Sequence, residues 1–268
     1  NWDISKYEYG FDMALIKTIG LVIKETAYND TDKILTLLSS DLGKISVYAR
    51  NSRKGGTRSS YGTQILTYGE YVLFRGRDAY IFNSCDVIAN FYELSSDIEL
   101  FTYAAHLIDM TEDACNDPAC AKDAVKVLLY GLNALKKKRN PKLIASALAI
   151  KLTHLMGYPP HVSSCAACGS KAMEHIYFSF KNCGFLCEKC SASEKNGSIY
   201  IGNGIAKAII YVMCAENSGI FSFDLSDKLL EKFFELSLRY IEDRTGRRYR
   251  KLDFLEEFDY KAALQDLE

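Results

Sequence analysis

The sequence predicts an α+β multidomain chain, in which an N-terminal five-stranded β-barrel precedes a mainly helical domain that carries a four-cysteine, zinc-ribbon-like insert. Three observations lead there. Short apolar and β-branched runs cut by turn signals fill residues 14–89, as successive strands do. From Ser96 the apolar spacing changes to three-and-four, the period of amphipathic helices. Cys165, Cys168, Cys187 and Cys190 form C-x2-C-x18-C-x2-C within CAACGSKAMEHIYFSFKNCGFLCEKC.

Strands are expected near 15–26, 32–39, 44–50, 64–75 and 79–88. The punctuation is Tyr28-Asn29-Asp30, then Asp41-Leu42-Gly43, a Ser/Gly/Arg-rich stretch at 51–63, and Gly76-Arg77-Asp78. Five short strands in so few residues fit a small Greek-key barrel of the OB type, although an SH3-like barrel fits the count as well. This places the barrel at 13–90 and the helical domain at 91–268, with the insert at about 161–200. Residues 1–12 read as an extension ahead of the barrel, and Leu267 and Glu268 as one at the other end.

The first helix shows a stripe of Leu100, Tyr103, Ala104, Leu107, Ile108 and Thr111. A second is expected over 118–138. Asn140-Pro141 starts a third, an N-cap followed by proline at the first helical position, and Gly157-Tyr158-Pro159-Pro160 stops it. Ile176, Phe178 and Phe180 alternate as a strand between the two cysteine turns. Helices resume over 203–216 and 226–245. Phe101, Tyr103, Phe233 and Phe234 fall at helical spacing and read as core. Tyr48, Tyr61, Tyr68 and Tyr71 flank the basic loop of the barrel and are the candidates for stacking on bases.

Two residues between cysteines let both sulfurs of a tight turn converge on one ion, and a second such turn completes a tetrahedron. Gly169 suits the cramped backbone after Cys168. Four thiolates close the coordination sphere of a zinc ion, which leaves no position for substrate and makes the ion structural. Cys183 stands close to Cys187, but only Cys187 completes the second pair; His161 and His175 lack turn spacing from a cysteine. Cys85, Cys115, Cys120 and Cys214 show no pattern and read as small buried hydrophobes.

Net charge is only −1 over 268 residues, which by itself speaks against a nucleic-acid partner, but the charge is unevenly placed. Arg50, Arg53, Lys54 and Arg58 have no acidic residue among them, and Arg75 and Arg77 flank the next turn. Arg247, Arg248 and Arg250 lie in a second basic run near the C-terminal end. Such patches can track phosphates on a neutral protein. The longest apolar stretch, roughly 206–215 and broken by Lys207, is too short to span a bilayer, and reduced cysteines in metal spacing fit the cytoplasm. No G-x-x-x-x-G-K-[ST] loop, H-E-x-x-H or H-x-E pattern occurs, so neither nucleotide hydrolysis nor an open catalytic zinc is indicated and the chain reads as a non-enzyme. A thiol oxidoreductase would not need the second cysteine pair. A zinc-ribbon transcription regulator is the rival reading.

Three segments then carry a resemblance: TIGLVIKETAYNDTDKILTLLSSDLGKISVYARNSRK, GFLCEKC, and LRYIEDRTGRRYRKLDFLEEF. In this order they resemble the bacterial recombination-mediator family RecO from about Met13 to Phe258. Asn182-Cys183 before Gly184 departs from the small residues usual there. The resemblance implies binding of single-stranded DNA and of the C-terminal tail of the single-strand-binding protein SSB. Lys136, Lys137, Lys138 and Arg139 offer charge to such a tail, but four consecutive basic residues point around a helix and read mostly as a solvated face. The resemblance also implies action with RecR to load RecA, a functional link to RecF, strand annealing without ATP, and a place at the bacterial nucleoid.

Overall fold

β1 (Leu15–Ala27) is long because it serves two neighbours. Its first half pairs antiparallel with β4 (Thr67–Arg75), and its second with β2 (Lys33–Ser39). A bulge between Val22 and Lys24 supplies extra twist between the two halves. At the bend Gly20 faces Gly69 across the ladder. A Cβ on Gly20 would lie 2.7 Å from the Leu38 carbonyl oxygen, and one on Gly69 2.6 Å from Cys85 Sγ, so the curvature there depends on both lacking a side chain.

β3 (Gly43–Ala49) pairs antiparallel with β2, and β5 (Tyr80–Asn90) antiparallel with β4. The barrel closes in the order β1-β2-β3-β5-β4, with β3 and β5 parallel at Val47↔Tyr80 and Tyr48↔Ile81. That closed Greek-key order is the OB arrangement and excludes the SH3-like alternative. Period-two alternation sends Val22, Leu35, Leu37, Ile45, Val47, Ala49, Tyr71 and Leu73 inward. The computed structural model describes residues 14–53, 61–76, 79–194 and 197–255; the two expected terminal extensions lie outside these.

The chain divides at Asn90 and Phe91 into two compact units. In the second, α1 (Ile98–Ala114), α2 (Pro118–Lys136) and α3 (Pro141–Leu155) each begin on a side-chain cap, from Asp97, Asp117 and Asn140 respectively. Pro118 and Pro141 stand at the first helical positions, where a missing N–H costs nothing. Every residue of α3 from Leu143 to Thr153 is buried, so it is the central helix, and its composition is mostly apolar with Ser146, Lys151 and Thr153 as the polar exceptions.

The insert follows α3. It is a three-stranded sheet in the order β7-β6-β8, made of β6 (Ile176–Ser179), β7 (Gly184–Cys187) and β8 (Ile199–Tyr200), with a short α4 (Glu188–Ser193) after β7. Then come α5 (Gly202–Cys214) and α6 (Asp227–Thr245), the latter packed on α3 and closed by Gly246 at φ +68°. The core expectation holds for Cys115, which is buried, while Cys85 and Cys120 are half-buried. Cys214 is a correction: it is exposed, because it falls off the buried stripe of Ile205, Ala208, Ile209 and Val212.

Candidate metal centre and nucleic-acid surface

The four sulfurs are brought together by two different corners. Cys165 and Cys168 flank a turn in which Gly169 N–H donates to Cys165 O at 2.8 Å and Cys165 N–H to Ser170 O at 2.8 Å; Gly169 sits at φ +75°. Ala166 N–H donates to Phe185 O at 2.7 Å, fastening this knuckle to β7. Cys187 ends β7 and Cys190 lies on α4, so the second pair occupies a strand-to-helix corner. All four Sγ atoms lie within 4.8 Å of one another, and Cys168 and Cys187 are 3.8 Å apart. A tetrahedral thiolate site with metal–sulfur bonds of about 2.3 Å requires sulfurs about 3.8 Å apart. The residues therefore fit, and the cluster can hold a metal ion.

Its electrostatics call for a cation. Burial pushes the Cys165 thiol up, but the N–H groups of Cys187, Cys168 and Ala167 directed at the sulfur outweigh this and bring it down to about 6; the Cys187 nitrogen is 3.4 Å away. Cys190, bonded to Cys168 and Cys187, is instead pushed up to about 12. Cys165 thus favours the thiolate while Cys190 resists ionising beside it, a conflict that a bound cation removes.

Cys183 is absent from this cluster. It ends the β6–β7 turn at φ +52°, where its sulfur receives Arg244 Nη1 at 2.8 Å. His161 bonds Ser164 at 2.9 Å and His175 packs edge-on against Tyr200, so neither is a ligand. The insert rests on α6 through Phe178 against Tyr240, ring centroids 5.3 Å apart, and through the Arg239 guanidinium 4.1 Å from the Phe180 ring centroid.

In the barrel, the organising group is one that the sequence pattern did not single out. Asp32 is buried and accepts from the Asn51 N–H at 2.8 Å, Asn29 Nδ2 at 2.8 Å, Thr31 Oγ1 at 2.9 Å and the Tyr48 hydroxyl at 2.5 Å. Burial works to raise its pKa, yet the bonds from Tyr48, Asn51, Asn29 and Thr31 win and hold the carboxyl well below the usual range. Tyr48 is pushed up to about 12, by burial and then by its bond to Asp32. This network ties the β1–β2 turn to the chain leaving β3. Arg53 adds to it, its N–H donating to Thr31 O at 3.0 Å and its guanidinium to Asn29 O. The signal was present as Asn29-Asp30-Thr31-Asp32, an Asx-turn sequence in which Asn29 Oδ1 accepts from the Thr31 and Asp32 N–H groups at 2.9 and 2.7 Å.

Arg50 and Arg53 stand exposed at this crossing, Arg50 with its guanidinium 6.0 Å from the Tyr48 ring centroid, and Arg75 is exposed at the end of β4. Lys54, Arg58 and Arg77 lie outside the described residues. Of the flanking tyrosines, Tyr61 is exposed and Tyr48 and Tyr68 are half-buried. Tyr71 is a correction: it is fully buried in the barrel core, its hydroxyl shared between Gly62 O at 3.0 Å and Thr67 O at 3.2 Å, and cannot reach a base.

Both units match known family models. Residues 13–91 match the N-terminal domain of recombination protein O, and residues 95–253 its C-terminal domain. The chain belongs to the RecO family. It is 42% identical over 248 residues to the DNA repair protein RecO of Acetivibrio thermocellus, covering 92% of this chain and 98% of the relative. The RecO of Caldicellulosiruptor bescii is 32% identical over 242 residues, covering 90% and 98%, and that of Alkaliphilus metalliredigens 28% identical over 228 residues, covering 85% and 92%.

In this RecO-family chain the rival reading as a transcription regulator is not favoured. Among the described residues no helix is long and apolar enough to cross a membrane. The C-terminal basic run is divided by the structure. Arg247 bridges Asp113 at 2.6 Å and Asp109 at 2.5 Å, and Tyr249 donates to Asp113 at 2.6 Å, clasping the chain after α6 onto α1. Arg248 and Arg250 are exposed. Of the basic run at the end of α2, Lys136 pairs with Glu93 at 2.7 Å and Arg139 with Asp224 at 3.8 Å.

Proposed function

We propose that this RecO-family chain is a recombination mediator of bacterial DNA repair. It binds single-stranded DNA without reading sequence and engages the acidic tail of SSB through its helical unit. With RecR it loads RecA, in functional connection with RecF, and it anneals complementary strands without ATP in the cytoplasm at the nucleoid. The observation that carries this reading is the barrel crossing, where exposed Arg50 and Arg53 flank Tyr48 on a frame fixed by Asp32. Guanidinium groups on a rigid frame give phosphate affinity through counterion release, which serves a protein that must act on any sequence. Lys54 and Arg58 continue the same basic run, with Arg75 and Arg77 beside the next turn and Arg248 and Arg250 as a further candidate patch. Arg247 belongs to that patch by sequence, but its two carboxylate partners make it the weakest of the nine candidates.

Cys165, Cys168, Cys187 and Cys190 hold one zinc ion, which orders the insert and takes no part in chemistry. Annealing then needs no covalent step. Two strands held on basic surfaces repel each other less and meet at higher local concentration, and base pairing supplies the driving force.

The test is binding of an oligonucleotide at a series of salt concentrations. The Arg50→Ala/Arg53→Ala/Lys54→Ala/Arg58→Ala variant is expected to bind more weakly, its slope against log salt flattened by about 0.7 for each phosphate it no longer neutralises. An unchanged slope moves the DNA site elsewhere. A strand-annealing assay on SSB-coated strands decides the second half: annealing at the rate with SSB alone, at saturating protein, reduces the chain to a recruiting platform for RecR.

A further inference from the structure

Lys151 lies on the central helix α3 with 6% of its surface exposed, and its ammonium makes one hydrogen bond, 3.0 Å to the carbonyl of Ala215. Among the described residues no carboxylate pairs with it; Asp123 and Cys214 act on it only through space. A protonated lysine has three N–H donors, and burying one without an opposite charge is costly. Capping a helix end requires one donor. Lys151 also lines a cleft.

That cleft has a volume of about 430 Å³ and is lined by Lys126, Tyr130, Lys151 and the turn Ala215–Ser218. Lys126 and Tyr130 are four residues apart on α2 and so share a face. The turn is braced from both sides, by Gly219 N–H to Glu216 O at 2.8 Å and by the Tyr211 hydroxyl to Gly219 O at 3.0 Å. Two lysines, a tyrosine and one acidic residue, Glu216, therefore line one polar space of ligand size.

We propose that this cleft binds a small polar anion of the carboxylate or phosphate-ester class, with Lys151 as its buried counter-charge, Lys126 as a second cation and the Tyr130 hydroxyl as a donor. Burial lowers the Lys151 pKa below that of an ordinary lysine, and a bound anion offsets that tendency by restoring the preference for the charged form. The site lies wholly in the helical unit and shares no residue with the barrel surface, so loss of one leaves the other standing.

Calorimetric titration and thermal unfolding with inorganic phosphate and with acetate, each at constant ionic strength against chloride, test it. The wild type is expected to bind at least one of the two saturably and to unfold several degrees higher at saturation. Preference for phosphate identifies the ester as the natural class, and preference for acetate the carboxylate. Lys151→Met is expected to weaken binding at least tenfold. Because that variant removes a helix-end bond as well, two exposed positions give an independent reading: Lys126→Met should weaken binding several-fold, while Glu216→Gln should tighten it. Absence of saturable binding of both anions to the wild type overturns the proposal, as does equal binding by Lys126→Met and Glu216→Gln.

Discussion

The turn around Asp32 and the knuckle around Cys165 both fix irregular backbone at the edge of a small sheet, and they do so with opposite chemistry. Asp32 gathers neutral donors, and every bond it needs comes from Asn29, Thr31, Tyr48 and Asn51 of the same unit. The four cysteines gather like with like, each thiol a neighbour of three others. The first arrangement is complete within the polypeptide. The second has four thiols arranged at the spacing a metal ion would need, with no opposite charge of its own among them.

The largest effect that tests this contrast is loss of the metal. Cys187→Ser is expected to lose bound zinc and on the order of 10 kcal/mol of ordering in the insert, read by metal analysis and by hydrogen exchange over residues 161–200, with the barrel unmoved. Cys183→Ser should keep full zinc, since its sulfur faces Arg244. The reverse outcome would reassign the fourth ligand.

Asp32→Ala should cost the barrel about 1–3 kcal/mol in urea unfolding at pH 7, because four donors, exposed or half-buried, lose their shared acceptor at once. The sign with pH follows from the depressed folded pKa. Asp32's contribution is fully present above about 3.9, the unfolded value, and is lost as pH falls toward the lower folded value. The gap between wild type and variant should therefore stay constant from pH 7 to 5 and close only in strong acid. Zinc binding should fail in the same direction but earlier, since protons compete for thiolates and the insert should release its metal before the Asp32 network fails.

Arginines sharpen the same distinction between surface and frame. Arg247→Ala should lower the stability of the helical unit by about 1 kcal/mol through lost bonds to Asp109 and Asp113, and leave oligonucleotide affinity unchanged. Arg50→Ala should do the opposite, weakening DNA binding several-fold at unchanged stability. Smallest of all, Gly169→Ala should cost the insert about 1 kcal/mol, a pure backbone effect, because nothing lies within 4 Å of the added methyl group but φ is +75°.

Most of this architecture was legible because its elements are long and periodic. The five strands, α1, α2 and α3 with their caps, and α6 with its stripe all announce themselves by spacing. The four ligand candidates were legible too, since cysteine spacing encodes turn geometry directly. What spacing did not carry is closure and partnership. β7, α4 and β8 are too short to show a period. Asp32 is one acid in a turn until Tyr48 and Asn51 are brought to it from β3. Arg247 and Arg248 look alike in a basic run, and only folding against α1 gives one of them two carboxylates.

The complete enclosure of α3 has an evolutionary reach of its own. A helix covered on every side has no face along which sequence can drift freely, so changes between Leu143 and Thr153 must be matched by changes in α1, α2, α5 or α6. The insert follows that helix as a module bonded largely to itself, with contacts to α5 and α6. Substitutions in the insert, its four clustered cysteines included, can therefore be accommodated without repacking α3.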